Sequence, residues 1–325
     1  MSKAVYRPRE PQNSSYYQCV QDHFEAFEQV YEERFELRYG FFRPYVSQVI
    51  HRYLDCGDLH NGFARVRCGD CGHEYLLAFS CKRRHFCPSC HQKRVVQFGE
   101  WLCASVVKAV PHRHVVFSIP KILRRCFLYD RKRLTGLSRC GWESLKAYFT
   151  SCSRHSDAVP GAVIAIQTFG DLLGYNPHLH VLITDGCFHH SGMLTVAPAI
   201  DTHAVEQLFR HKILKLLLSQ GRITEATVAL MGKWRHSGFS VHCGPRILPR
   251  QSAAMENLAR YIIRASFSQE RLDYDAQTAT VVYKGKDGSR QKSFDAPELA
   301  AAPFDDWPAP SADDYLTDPL YPFEM

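Results

Sequence analysis

The chain has no run of 18 apolar residues, and its first residues, Met1-Ser2-Lys3-Ala4-Val5-Tyr6-Arg7-Pro8, are polar where an export signal would carry an apolar stretch. A spanning helix and a secretory leader are therefore not expected, and the protein is expected to be cytoplasmic. There is no GxxxxGK[ST] loop, no HExxH pair and no glycine-rich cofactor loop, so nucleotide hydrolysis, zincin-type chemistry and dinucleotide chemistry find no support. An acidic excess is also missing. Lys and Arg number 40 against 33 Asp and Glu, a net charge of +7, which favours a polyanionic partner without requiring one.

Of the 325 residues, 45% are apolar, enough for two small domains or one larger one with an appendage. Thirteen are cysteines, and six of these crowd between Cys56 and Cys90. An odd count without an export signal points to metal binding rather than disulfides. Cys68-Gly-Asp-Cys71 and Cys87-Pro-Ser-Cys90 form two CxxC knuckles, each a tight turn presenting two thiolates, as a tetrahedral structural zinc site requires. The expected ligands are Cys68, Cys71, Cys87 and Cys90. Cys56 and Cys81 are the best additional pair, with His73, His85 and His91 also near. Arg83, Arg84, Lys93 and Arg94 lie among Tyr75, Phe79 and Phe86, a mixture suited to phosphate contacts and base stacking. A solvated face that keeps a zinc ribbon soluble is the lesser alternative.

Apolar periodicity divides the chain. Residues 1–54 read as a helical N-terminal segment, 55–109 as a zinc-binding DNA-contact module with an exit helix over 91–109, and 110–297 as the main domain. Within that domain, strands are expected at 114–119, 162–169, 179–184 and 239–242, with helices over about 120–150 and 203–233 between them. The order β-α-β-β-α-β belongs to a ferredoxin-like, split βαβ antiparallel sheet, so the fold class is α+β. A helix over 256–267 and a hairpin over 280–294 follow. Residues 298–325 form an acidic, proline-rich tail expected to be disordered.

Tyr175-Asn176-Pro177-His178-Leu179-His180-Val181-Leu182-Ile183 places two histidines around one apolar residue. Alternate side chains of a strand leave the same face, so His178 and His180 point together, as a two-imidazole metal site requires. An HxH pair alone fits a solvated strand face equally well. Gln167, on the hairpin partner of that strand, lies at a cross-strand distance to supply a third, oxygen ligand, with Asp171 and Gln269 in reserve. On the later helix, Tyr261 is flanked by Arg260 and, one turn on, Arg264, so a phosphate at the tyrosine hydroxyl would meet a guanidinium.

Three motifs in this order, SCKRRHFCPSC, NPHLHVLITDG and LARYIIRASFSQERL, resemble the HUH single-strand transposases of rolling-circle elements, and most closely the insertion-sequence-91 family and its common-region relatives. The resemblance spans about residues 15 to 297. It implies an HUH/Rep-type sheet, a divalent metal, Mg²⁺ or Mn²⁺, on His178 and His180, structural Zn²⁺ in the cysteine module, and Tyr261 as nucleophile. It also implies a transposase that cuts and rejoins single-stranded DNA through a 5′-phosphotyrosine, working on element ends and target DNA at the nucleoid. Founding members carry a second tyrosine four residues on, where this chain has Ala265, so the likeness is to a single-tyrosine branch. Their basic, tyrosine-containing C-terminal segment is replaced here by the acidic tail. A replication initiator or relaxase shares the same chemistry. A non-catalytic zinc-dependent DNA-binding remnant of such an element is the alternative from another class.

Overall fold

The computed structural model describes residues 10–297 apart from Arg84, His85, Tyr129, Ser191 and Ser266. The expected tail over 298–325 lies outside the described residues. The chain opens with helices α1 (Ser15–Arg34), α2 (Glu36–Tyr39) and α3 (Pro44–Leu54). The Ser14 hydroxyl accepts the Tyr17 N–H to cap α1, and Pro44 starts α3 where its missing N–H costs nothing. The break between α2 and α3 falls at Gly40, whose φ of 81° is a left-handed conformation that glycine adopts without strain. A hairpin of β1 (Phe63–Arg67) and β2 (Glu74–Ala78) follows, and α4 (Pro88–Trp101) leads out of the cysteine region into a π-helical turn at Leu102–Val106.

Next come β3 (His112–Ser118), α5 (Lys121–Arg124), α6 (Arg131–Ser151), β4 (Ala162–Phe169) and β5 (Tyr175–Thr184). A small hairpin, β6 (Gly186–His189) and β7 (Met193–Val196), precedes α7 (Thr202–Ser219), α8 (Glu225–Gly232) and β8 (Ser240–Cys243). The four long-range strands form one sheet ordered β4-β5-β3-β8, with every neighbouring pair antiparallel. This is the split βαβ arrangement expected from the sequence, in which the β5 strand inserts between the two strands joined by the first crossover. One face packs against α6 and α7 through Val115, Phe117, Leu179, Val181, Ile183, Phe209 and Ile213, all essentially inaccessible. At the sheet's lower edge, the fully buried Asp185 accepts from the guanidinium groups of Arg113 and Arg246, a paired charge as burial demands.

The opposite face carries α9 (Ser252–Ile262), where Met255, Ala259 and Ile262 pack with Leu182 of β5 and Leu102. The helix begins four residues earlier and ends five earlier than its apolar pattern suggests. The sequence pattern shows only one hairpin at the C-terminal end. The structure adds a third strand: β9 (Leu272–Asp275), β10 (Thr280–Lys284) and β11 (Gln291–Asp295) form a sheet ordered β11-β10-β9. Its buried residues Leu272, Val281, Tyr283 and Phe294 share one core with Tyr16, Phe24 and Phe27 of α1 and with the cysteine cluster. Among the described residues no helix is long and apolar enough to cross a membrane.

Candidate active site and metal centre

Four buried thiols converge between α3, the β1–β2 hairpin and α4. They are Cys56, Cys81, Cys87 and Cys90. Their sulfurs lie 3.6 Å (Cys56–Cys87), 3.6 Å (Cys81–Cys90) and 3.8 Å (Cys56–Cys90) apart. A tetrahedral zinc with Zn–S bonds near 2.3 Å places its sulfurs about 3.8 Å apart, so the cluster fits that ion. Backbone N–H groups of Cys81 and Arg83 donate to the Cys56 and Cys81 sulfurs, each at 3.4 Å. Hydrogen bonds from the thiols of Cys56, Cys81 and Cys87 hold the Cys90 thiol well below its ordinary range. Tyr53 and Phe86 close over the cluster with rings 5.1 Å apart.

This corrects the pairing of the two CxxC motifs. Cys68 and Cys71 are exposed and sit at the turn between β1 and β2, whereas Cys56 and Cys81 flank the base of that hairpin. The hairpin is the physical reason: as an antiparallel pair it brings its two ends together and carries its turn away from them, so the residues outside its ends, not those at its turn, meet the Cys87–Cys90 knuckle.

On the open face of the main sheet, β5 presents His178 and His180, with Gln167 of β4 the register partner of His178. All three are buried. His178 Nδ1 lies 2.7 Å from the Asn176 carbonyl oxygen, which holds the proton there and leaves Nε2 as the lone-pair nitrogen. His180 Nδ1 lies 2.9 Å from Nε2 of His114 on β3, their rings nearly parallel, and His180 Nε2 is buried with no hydrogen-bond partner. Gln167 donates its amide N–H groups to the carbonyls of Tyr261 (3.3 Å) and Ile262 (2.7 Å), and its Oε1 is likewise buried and unpartnered. Buried polar atoms are rarely left this way, and two orphaned acceptors on one sheet face suit a cation. Desolvation, then the charges of His178 and His114, push the His180 imidazole down to about 3, and desolvation lowers His178 and His114 as well. All three are neutral near pH 7, the form that ligates metal.

The two Gln167 bonds also explain the early end of α9, because they take up carbonyls that the next helical turn would have used. Tyr261 thus stands at the last turn, 38% exposed, its ring 5.3 Å from that of His180 and 6.3 Å from that of His114. The Arg264 guanidinium lies 4.4 Å from the Tyr261 ring centroid and Lys286 Nζ 6.0 Å. These groups border a cleft of about 1010 Å³, walled on one side by Pro88, His91, Gln92 and Val95 of α4.

Of the expected basic contacts, Arg260 and Arg264 line the cleft, with Arg260 ion-paired to Glu256. Arg83, Lys93 and Arg94 do not line it, and Arg84 lies outside the described residues. The reserve ligands are otherwise engaged: the Asp171 carboxylate pairs with Arg271 and Arg290, and Gln269 donates to Ser14. His114, His242 and Lys286 are cleft residues that sequence reasoning missed. For His114 a signal existed, since it alternates with the core residues Val115 and Phe117 and so faces the same side as the histidine pair.

Residues 20–119 match a family described as "Transposase zinc-binding domain" and residues 161–304 one described as "Putative transposase". A "Putative transposase" of Sinorhizobium fredii is 27% identical over 248 residues, covering 69% of this chain and 61% of that protein. The transposase for insertion sequence element IS801 of Pseudomonas savastanoi pv. phaseolicola is 29% identical over 161 residues, covering 48% of this chain and 37% of that protein. The chain therefore spans less than two thirds of the length of these relatives. No solved structure matches it. The two matches stand in the order of a zinc-binding domain followed by a transposase domain, the order in which the cysteine module and the cleft lie along the chain. The likeness is to transposases of the insertion-sequence-91 type. The buried four-cysteine cluster, lying inside the matched zinc-binding domain, is a structural zinc site.

Proposed function

We propose that this chain is an HUH-type DNA strand transferase of the single-tyrosine kind. It cleaves and rejoins single-stranded DNA at the ends of a mobile element, in the cytoplasm, through a 5′-phosphotyrosine intermediate of rolling-circle transposition. The observation that carries this reading is the meeting of Tyr261 with His178 and His180 in one cleft, with Gln167 paired in register with His178 and bonded to the end of α9. Tyr261 Oη attacks the scissile phosphorus, the P–O3′ bond breaks, and the departing 3′-oxygen takes up a proton. The phosphodiester left on Tyr261 keeps the bond energy for rejoining, when an incoming 3′-hydroxyl attacks phosphorus and returns the tyrosine. His178 Nε2, His180 Nε2 and Gln167 Oε1 would hold Mg²⁺ or Mn²⁺, with His114 fixing the His180 ring from behind. When bound, such an ion polarises the phosphate and offsets the charge that develops on it. Arg264 and Lys286, neither ion-paired to a carboxylate among the described residues, supply positive charge beside the tyrosine for the DNA backbone.

Other tyrosines near the C-terminal sheet are committed elsewhere. The buried Tyr283 hydroxyl accepts the Ser268 N–H, and Tyr274 donates to Asp22. The zinc-binding domain favours a transposase over a replication initiator with the same chemistry. Incubation with single-stranded oligonucleotides from the element's ends and Mg²⁺ should yield a denaturation-resistant protein–DNA adduct. Tyr261→Phe should abolish the adduct while leaving DNA binding near normal. An undiminished adduct in that variant overturns the assignment, and no adduct from the wild type favours a DNA-binding remnant.

A further inference from the structure

A second cluster of imidazoles lies away from the cleft, where the loop after α6 meets the β6–β7 hairpin. One ring nitrogen from each of His155, His189 and His190 lies within 4.8 Å of the others. The His155 and His189 rings stack with centroids 3.8 Å apart and planes only 8° apart, while His190 stands nearly perpendicular to both. None of the three lines the cleft. His189 follows the end of β5 at Thr184, which at about 3.3 Å per residue is roughly 20 Å along the strand from His178.

We propose that His155, His189 and His190, completed by Asp157, form a site for a borderline divalent transition metal such as Zn²⁺ or Co²⁺. His189 is buried, and its Nε2 lies 2.8 Å from the Thr195 hydroxyl while its Nδ1 is buried with no hydrogen-bond partner. A neutral imidazole with one nitrogen hydrogen-bonded to a fixed partner and the other unpaired is in the arrangement that metal-ligating histidines adopt. Asp157 supplies the negative charge. Its Oδ2 accepts the His190 backbone N–H at 2.7 Å and lies 3.5 Å from His190 Nδ1.

The ligand set of three imidazoles and one carboxylate selects for zinc-like ions over magnesium or calcium, which prefer oxygen. Nitrogens around a tetrahedral zinc sit about 3.3 Å apart, so side-chain rotation would draw the present cluster inward. The hairpin is well suited to anchor such a site. A side chain at Gly186 would drive into the Thr195 carbonyl, so the β6–β7 backbone is held close, and the diagonal pair His189 and Thr195 meet across it at 2.8 Å. The ion would tie that hairpin to the α6–β4 connection, a structural role separate from strand cleavage.

The test uses the full-length protein with His178→Ala and His180→Ala, so that only the four-cysteine zinc and the proposed site remain. Elemental analysis after equilibration with Zn²⁺ and desalting should find two zinc ions per chain. Adding His155→Asn and His190→Asn, at the half-buried and exposed members, should reduce this to one while circular dichroism stays unchanged. Co²⁺ added to protein whose cysteine site already holds zinc should produce d–d absorption without thiolate charge transfer, and Asp157→Asn should weaken that binding at least tenfold. One zinc per chain in both proteins, or a Co²⁺ spectrum indifferent to the histidine changes, overturns the proposal.

Discussion

The cysteine cluster and the histidine cleft, the second a metal site only by proposal, are built on opposite principles. All four thiols come from 35 consecutive residues, Cys56 to Cys90, and sit inside an aromatic core with their sulfurs already at tetrahedral spacing. The cleft draws His114, His178, His180, Tyr261 and Lys286 from four separate elements or loops, and His180 and the neighbouring Gln167 each leave an acceptor atom buried without a partner. A structural ion completes a closed shell and stabilises the fold, whereas a reactive site must keep positions open for its substrate. The two are joined by one helix. α4 starts at the Cys87–Cys90 knuckle and packs against α9, where a Cβ at Gly99 would already touch Arg260. Zinc thereby positions a wall of the cleft and, through α9, the tyrosine.

The contrast is broken most severely at the cysteines. Cys87→Ser or exhaustive chelation should collapse the cooperative thermal transition followed by circular dichroism, since structural zinc contributes on the order of 10 kcal/mol to folding in small modules. The core around this site also holds α1, α3 and the C-terminal sheet, so the loss should not stay local. Cys68→Ser at the exposed hairpin turn should stay within about 0.5 kcal/mol of wild type. Equal destabilisation by both changes would return the first CxxC to the zinc shell.

Next in size, His180→Ala should remove the DNA adduct by more than about 100-fold, as loss of a metal ligand would. The melting temperature should change far less than in Cys87→Ser, since the change deletes a buried, unpartnered nitrogen while it also removes the bond to His114. His114→Ala should be milder, about 10- to 100-fold in Mn²⁺ affinity read by titration, the range for a residue that orients a ligand.

The smallest effect is on pH dependence. In metal-free protein the folded-state pKa of His180 is about 3, below the unfolded value of about 6.5, so the unfolded chain binds the extra proton. Stability from this group is fully present above pH 6.5 and is lost as pH falls toward 3. Denaturant titrations at pH 7 and pH 5 should show a smaller loss in His180→Ala than in wild type.

Much of this was legible before folding. The order of strands and helices identified the split sheet because each strand's apolar period is local, and the HxH pair announced a shared face because strand alternation has a fixed period of two. Gln167 was placed by the same rule, one strand over. The cysteine pairing was not legible. Spacing along the chain counts residues, but a hairpin inverts proximity by joining its ends and expelling its turn, so Cys56 and Cys81 displaced Cys68 and Cys71. β9 was missed because its four residues alternate charge with apolar groups too briefly to stand out, and only α1 gives its buried side a surface to pack on.

By itself the sequence determined which residue types were present and which short-range faces they shared: two imidazoles on one strand, a tyrosine between arginines, thiols in close succession. Tertiary structure alone decided which of them meet. His114 stands behind His180 because β3 and β5 are paired, and Tyr261 reaches the histidines because α9 packs on that sheet face, its end bonded to Gln167. Those contacts join residues 66 and 95 positions apart in the chain, across separations that no local periodicity encodes.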